Sequence, residues 1–174
     1  MSMELIETLE LASSASSITF SSIPQTYTDL KLLISARTDA SGTGAAVNLR
    51  PNASTSNGSF IQLFGSGSST GSASGSSVRA ASVSGASATS STFGNSFCYI
   101  SNYTSTSAKS FSSDSVTENN GTEAFQEIYA SLWNDTSAIT SLTAVLALGG
   151  NFVSGSTFSL YGITAGSDGT TTVS

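Results

Sequence analysis

The chain has 174 residues, of which 9% are charged, against about 25% in an ordinary soluble domain. Its 5 basic and 11 acidic residues give a net charge of −6, and the basic positions are scattered, which argues against nucleic acid as a partner. No apolar run is long enough to span a membrane, and the length fits a single domain with its own hydrophobic core, covering residues 1–174.

The first segment with a clear pattern is residues 3–11, which carries Glu4, Glu7 and Glu10 among apolar side chains. Helix formers are concentrated here, but no residue caps or stops a helix, so we interpret the segment as an edge strand. Charges on an edge strand discourage pairing with other chains. The segment has no basic region followed by an apolar stretch, so we expect synthesis in a cytoplasm without a secretory signal.

Short segments with a hydrophobic period of two follow, which is typical of half-buried strands. They lie at residues 18–20, 30–37, 47–49, 61–63, 97–100, 142–146 and 158–163. A further segment at 125–133 is largely apolar on both faces, which predicts a central strand buried on both sides. A helix over 122–132 is the alternative, again without convincing end signals.

Between residues 65 and 91 the chain becomes a Gly/Ser-rich tract. A linker is the usual interpretation of this composition. The strands before the tract are too few to close a domain, so we predict a long excursion ordered by contacts, with a neighbouring subunit as the obvious candidate. The tail at 165–174 is predicted to be a similar extended arm.

About nine or ten short strands with hardly any helix predict an all-β fold. We expect a jelly-roll-type antiparallel β-sandwich, although the sequence does not distinguish a jelly roll from another strand order.

The chain contains no histidine, which removes the commonest general base and metal ligand. Serine is abundant but has no base beside it, and no Gly-rich loop for phosphate is visible. A carboxylate pair of the kind glycosidases use is the one catalytic arrangement left open. We therefore predict no enzyme activity and no cofactor. The single Cys98 is predicted to be buried as a small apolar residue.

Oxygen ligands near residue 120 raise the question of calcium. They are supplied by Asp114, Glu118, Asn119, Asn120 and Glu123. Their spacing matches no calcium-binding loop, and an Asn-Gly turn at 120–121 is the favoured interpretation. No metal site is predicted.

Aromatic side chains raise the question of sugar binding, because aromatic rings stack on sugar rings. Most aromatics in a β-domain belong to the core, so we expect Trp133 to lie in the core or at a subunit interface. The candidate interaction surface consists of Met3, Leu5, Tyr103 and Trp133.

Four groups of segments carry a family resemblance. They are ASSITFSSIPQTYTDL at 15–30, SVTENN at 115–120, LW at 132–133 with TSAITSL at 136–142, and NFV at 151–153 with LYGI at 160–163. With these segments the chain resembles a widespread group of small tailed-bacteriophage virion structural proteins over residues 5–163. The group has no catalytic motif to carry over.

The resemblance implies a component of a virus particle. We expect a capsid decoration, or cement, protein on the outer surface of the head, with the major capsid protein as partner and a homotrimer as the assembly. Residues 1–11 and the tail are predicted to mediate attachment. The alternative is a tail fibre or receptor-binding protein that recognises host cell-surface glycans.

Overall fold

The computed structural model describes residues 2–118, 120–121 and 124–164, which form twelve β-strands and no helix. The strands are β1 (Ser2–Glu10), β2 (Ser17–Phe20), β3 (Asp29–Ala36), β4 (Gly44–Pro51), β5 (Gly58–Gly65), β6 (Thr70–Gly75), β7 (Val78–Ser84), β8 (Gly94–Ile100), β9 (Lys109–Glu118), β10 (Ala124–Trp133), β11 (Leu142–Leu146) and β12 (Thr157–Thr164). No helix in the described ranges is long and apolar enough to cross a membrane. The all-β prediction is confirmed.

The strands form two antiparallel sheets. The larger sheet has eight strands in the order β1-β12-β3-β8-β9-β10-β5-β6, and the smaller has four in the order β2-β11-β4-β7. β1 is an edge strand, as predicted for residues 3–11, and a register irregularity between Leu5 and Glu7 interrupts its pairing with β12. Strands occupy residues 4–10 and 124–132, where helix was the alternative.

One hydrophobic core draws on both sheets. On β3, Leu30, Leu32 and Ile34 are buried, while the residues between them face outward, as the period of two predicts. Strands of the smaller sheet supply Phe20, Leu49 and other apolar side chains to the same core. Cys98 is also fully buried there, as predicted.

Serines and alanines fill the core where β7 faces the larger sheet. β7 is buried along almost its whole length, and the inward residues of β9 include Ser113 and Ser115. The Ser115 hydroxyl accepts a hydrogen bond from the Ser82 backbone N–H at 3.1 Å, and the Ser96 hydroxyl donates to the Ser82 carbonyl at 3.0 Å. Small side chains therefore let the two sheets approach until a hydroxyl of one reaches the backbone of the other.

Three expectations about this architecture are corrected. The described residues hold more strands than predicted, because β6, β7 and β9 consist mainly of small or polar residues. β10 is buried on one side only, and Ile128 on its other side is 48% exposed. The tract at 65–91 is no simple excursion, because it contains β6 and β7, which pair with β5 and β4. The predicted tail at 165–174 lies outside the described residues.

Gly85 shows how tightly the Gly/Ser tract is built into the fold. Its N–H donates to the Thr43 carbonyl at 2.8 Å, and the following N–H groups of Ala86 and Ser87 donate to the loop before β4. A Cβ at position 85 would lie 2.3 Å from the Gly42 carbonyl oxygen. Two backbone segments meet here at a distance that only glycine allows.

We expect Gly85→Ala to lower the free energy of unfolding by about 2 kcal/mol, because the backbone must shift to admit the methyl group. Urea unfolding followed by fluorescence measures the change. Gly65→Ala is the matched control from the same tract, since a Cβ there meets no atom within 4 Å. Equal stabilities of the two variants would contradict this account of the tract.

Candidate interaction surface

The predicted surface residues fall into two pairs with opposite environments. Met3 and Leu5 on β1 are 55% and 51% exposed, at the edge of the larger sheet. Tyr103 and Trp133 are 0% and 2% exposed. The Tyr103 hydroxyl donates to the Pro24 carbonyl, inside the fold. These two aromatic residues are core residues, so the prediction that they belong to an interaction surface is corrected.

The structure instead exposes an apolar stripe that the sequence analysis missed. It consists of Ile61 and Leu63 on β5 with Ile128 and Leu132 on β10, and these side chains are 39–60% exposed. Leu63 lies opposite Ile128 in the ladder between the two strands, so the stripe is continuous. Exposed apolar side chains gathered in one place mark interaction sites more often than single ones do.

A row of polar and aromatic side chains crosses another part of the same outer face. Lys31 of β3 lies opposite Tyr99 of β8 on one side and Tyr161 of β12 on the other. The Tyr99 hydroxyl donates to Asp29 at 2.5 Å, and this bond, with burial as a lesser cause, raises the pKa of Tyr99 to about 12. The row therefore presents two tyrosine rings beside a cation.

A titratable cluster lies where β10 packs on β7. Glu127 is 8% exposed and accepts a hydrogen bond from the Tyr129 hydroxyl. Burial raises the pKa of Glu127 to about 7, while the Ser82 hydroxyl and the Arg79 guanidinium oppose the rise. A cavity of about 200 Å³ opens beside Glu127. Among the described residues that line this cavity, Glu127 carries the single carboxyl group, whereas a glycosidase-type site uses two.

The residues considered for calcium are engaged otherwise or lie outside the described residues. The Glu118 carboxylate accepts hydrogen bonds from the hydroxyls of Thr89 and Thr92 at 2.9 and 3.2 Å. Asn119 and Glu123 are not among the described residues. Within the described ranges, no group of three or more His, Cys, Asp and Glu residues lies close enough together to hold a metal ion.

Comparisons with protein-family models, with curated proteins and with solved structures find no match to this chain. The resemblance to phage virion proteins therefore stays a prediction. The class that the structure defines is an all-β protein with two antiparallel sheets.

Proposed function

We propose that this chain is a structural protein of a tailed-phage particle, a decoration protein that binds the major capsid protein on the outer surface of the head and stabilises the shell. The family resemblance suggests the phage setting. The observation that carries the proposal is the strand order, since it is the order expected of a jelly roll, an architecture used by viral capsid proteins.

The strand order supports a jelly roll when two hairpins are left out of the comparison. In an eight-stranded jelly roll the first strand lies beside the last and the second beside the seventh. Without the hairpins β5–β6 and β9–β10, the sheets are β1-β12-β3-β8 and β2-β11-β4-β7. Renumbered along the chain, these orders become 1-8-3-6 and 2-7-4-5, and agreement with the orders expected for the two sheets of a jelly roll supports the proposal. Both hairpins then extend one sheet beyond β8.

The stoichiometry of purified particles tests this proposal. Quantitative mass spectrometry would compare the chain with the major capsid protein in particles of a phage that encodes it. A ratio near one chain per capsid subunit supports decoration. A ratio of a few per hundred contradicts decoration and supports a tail position, and absence from washed particles contradicts both.

Attachment is proposed to use β1, where Met3 and Leu5 place apolar surface at a sheet edge. We expect Leu5→Glu to weaken binding of the purified protein to undecorated shells about tenfold, because it removes apolar contact and adds a charge. Co-sedimentation with shells measures the affinity. Thr8→Glu, exposed on the same strand, adds the same charge without removing an apolar side chain. Equal loss in both variants would contradict a contact through Leu5.

A receptor-binding protein is the second candidate, and the row formed by Tyr161, Lys31 and Tyr99 favours it. Tyrosine rings beside a hydrogen-bond donor suit a sugar ring, and jelly rolls also occur in lectins. A glycan array with the Tyr161→Ala variant as control tests it. A homotrimer remains the proposed assembly under both candidates.

A further inference from the structure

The edge strand β6 differs from the rest of the fold because its side chains add almost nothing to the core. Five of its six residues are exposed and the sixth is half-buried. It is held by its ladder with β5 and by the rings of Phe60 and Phe64, which lie over Gly75 and Gly71. A Cβ at either glycine would meet those rings at 2.6 or 2.4 Å. The feature of β6 that a partner could bind is the unpaired edge of its backbone.

The other sheet edges in the described part of the chain are protected, whereas β6 is not. β1 carries three glutamates and a register irregularity, β2 has four residues, and β7 is buried against the larger sheet. β6 has no charge and no proline, and its register with β5 is continuous. Natural proteins usually block such an edge, because its unpaired N–H and C=O groups accept another strand.

The sequence of β6 is complementary to itself. Residues 71–75 read Gly-Ser-Ala-Ser-Gly, which is the same in both directions. In an antiparallel pair of two such strands centred on Ala73, Ala73 lies opposite Ala73, Ser72 opposite Ser74 and Gly71 opposite Gly75. Serines that face each other across strands form favourable hydrogen bonds, and no large side chain obstructs the approach.

We propose that β6 pairs antiparallel with β6 of a second copy of this chain, about a two-fold axis at Ala73. The pairing joins the two eight-stranded sheets into one continuous sheet and satisfies the open backbone groups of both chains at once. The edge strand carries no charge, so no like charges on the two strands face each other, although each chain has a net charge of −6.

A second copy fits this edge better than a foreign peptide does. Proteins that add a peptide strand gain specificity from pockets for alternate side chains. Here the edge strand carries only glycine, serine, alanine and threonine, so its side chains offer few contacts that could select a foreign sequence. Specificity instead comes from the symmetry of the strand. The contact is two-fold, so it is independent of the proposed virion role and of a three-fold assembly.

Cross-linking at the proposed axis tests the register directly. Directly opposed antiparallel residues have Cα atoms about 4.5–5.5 Å apart, which suits a disulfide. We expect Ala73→Cys to oxidise to a linked pair of 17.5 kDa chains on a non-reducing gel. The native Cys98 is fully buried and does not compete. Thr8→Cys, exposed on the opposite edge of the sheet, is the matched control and should stay mostly unlinked.

The mass in solution is the second measurement, by size-exclusion chromatography with light scattering. We expect Ala73→Lys to halve the mass of the native assembly, because two ammonium groups would face each other at the axis, while Ala73→Ser leaves it unchanged. Circular dichroism should show the native fold in both variants. A wild-type mass of a single chain, a mass that Ala73→Lys leaves unchanged, or equal cross-linking of the two cysteine variants would each overturn the proposal.

Discussion

Replacing Lys109 with methionine is expected to lower the free energy of unfolding by about 3 kcal/mol. Lys109 is 1% exposed, and its ammonium group donates to the carbonyls of Ser105, Ser137 and Asp135 at 2.8, 2.6 and 3.3 Å. It also lies 5.6 Å from the centre of the Trp133 ring. One cation therefore holds the loop after β8 and the loop after β10 together.

Methionine keeps most of the length of the side chain but cannot donate, so three carbonyl groups lose their partner. A hydrogen bond to a charged group contributes about 1.5–3 kcal/mol, so we expect the loss of three of them to outweigh what methionine gains by avoiding desolvation. Chemical denaturation measures the difference. Lys31→Met is the matched control, because Lys31 is only partly buried and its described contact is with the Phe97 ring. A Lys109→Met protein as stable as Lys31→Met would refute the role of the three carbonyls.

Lys109 also shows a limit of sequence interpretation. Its partners are backbone carbonyls up to 28 residues away, and a carbonyl group carries no sequence signal. A lysine between alanine and serine suggests a solvated position. Only the fold brings the loops together around it.

Strands with large alternating side chains were predictable from the sequence, and those with small ones were not. β3 and β12 are recognisable as strands in the sequence because leucine, isoleucine and phenylalanine recur at alternate positions. β7 and β9 bury alanine or serine at several of their inward positions, so the hydrophobic alternation is weak there. Hydrogen bonds between the sheets engage the buried hydroxyls of Ser115 and Ser96, and this pairing depends on contacts distant in the chain.

The candidate surface was predictable only in part. Met3 and Leu5 alternate with or adjoin glutamates in the sequence, and these charged neighbours correctly indicated an exposed strand. Trp133 is buried because it lies on the inward side of β10, and Tyr103 lies in the loop after β8, where its side chain packs into the core. The apolar stripe was missed because β10 is apolar on both faces, and the period of two cannot tell a buried face from an exposed one.

Glu127 should make the stability of the protein fall as the pH rises from about 5 to 7. Burial raises its pKa from an ordinary value of 4.5 to about 7 in the folded chain. Between these values the folded chain holds the proton and the unfolded chain does not, so unfolding releases a proton. The stabilisation is fully present below the pKa that Glu127 has in the unfolded chain. It is lost as the pH rises through the pKa that Glu127 has in the folded chain, and it amounts to about 3 kcal/mol.

Carboxyl groups whose pKa values are lowered do not titrate in the pH range from 5 to 7. A hydrogen bond from the Asn151 backbone lowers the pKa of Asp39, and one from the Ser137 backbone lowers that of Asp135. Both groups stay ionised above pH 5 in either state. Their contribution is lost only in more acidic solution, so the two effects lie at different pH values and can be separated by measurement.

Glu127→Gln isolates the effect, because its amide stays neutral at every pH and can still accept from the Tyr129 hydroxyl. We expect the variant to match the native protein near pH 5 and to be more stable by about 3 kcal/mol near pH 8, where the native carboxylate is charged between the sheets. Thermal and urea unfolding across this range measure both profiles. The surface substitution Glu7→Gln controls for the loss of one negative charge. Native and Glu127→Gln profiles that run parallel would mean that the carboxyl group titrates in the fold as it does in the unfolded chain, and that Arg79 and Ser82 fully compensate for its burial.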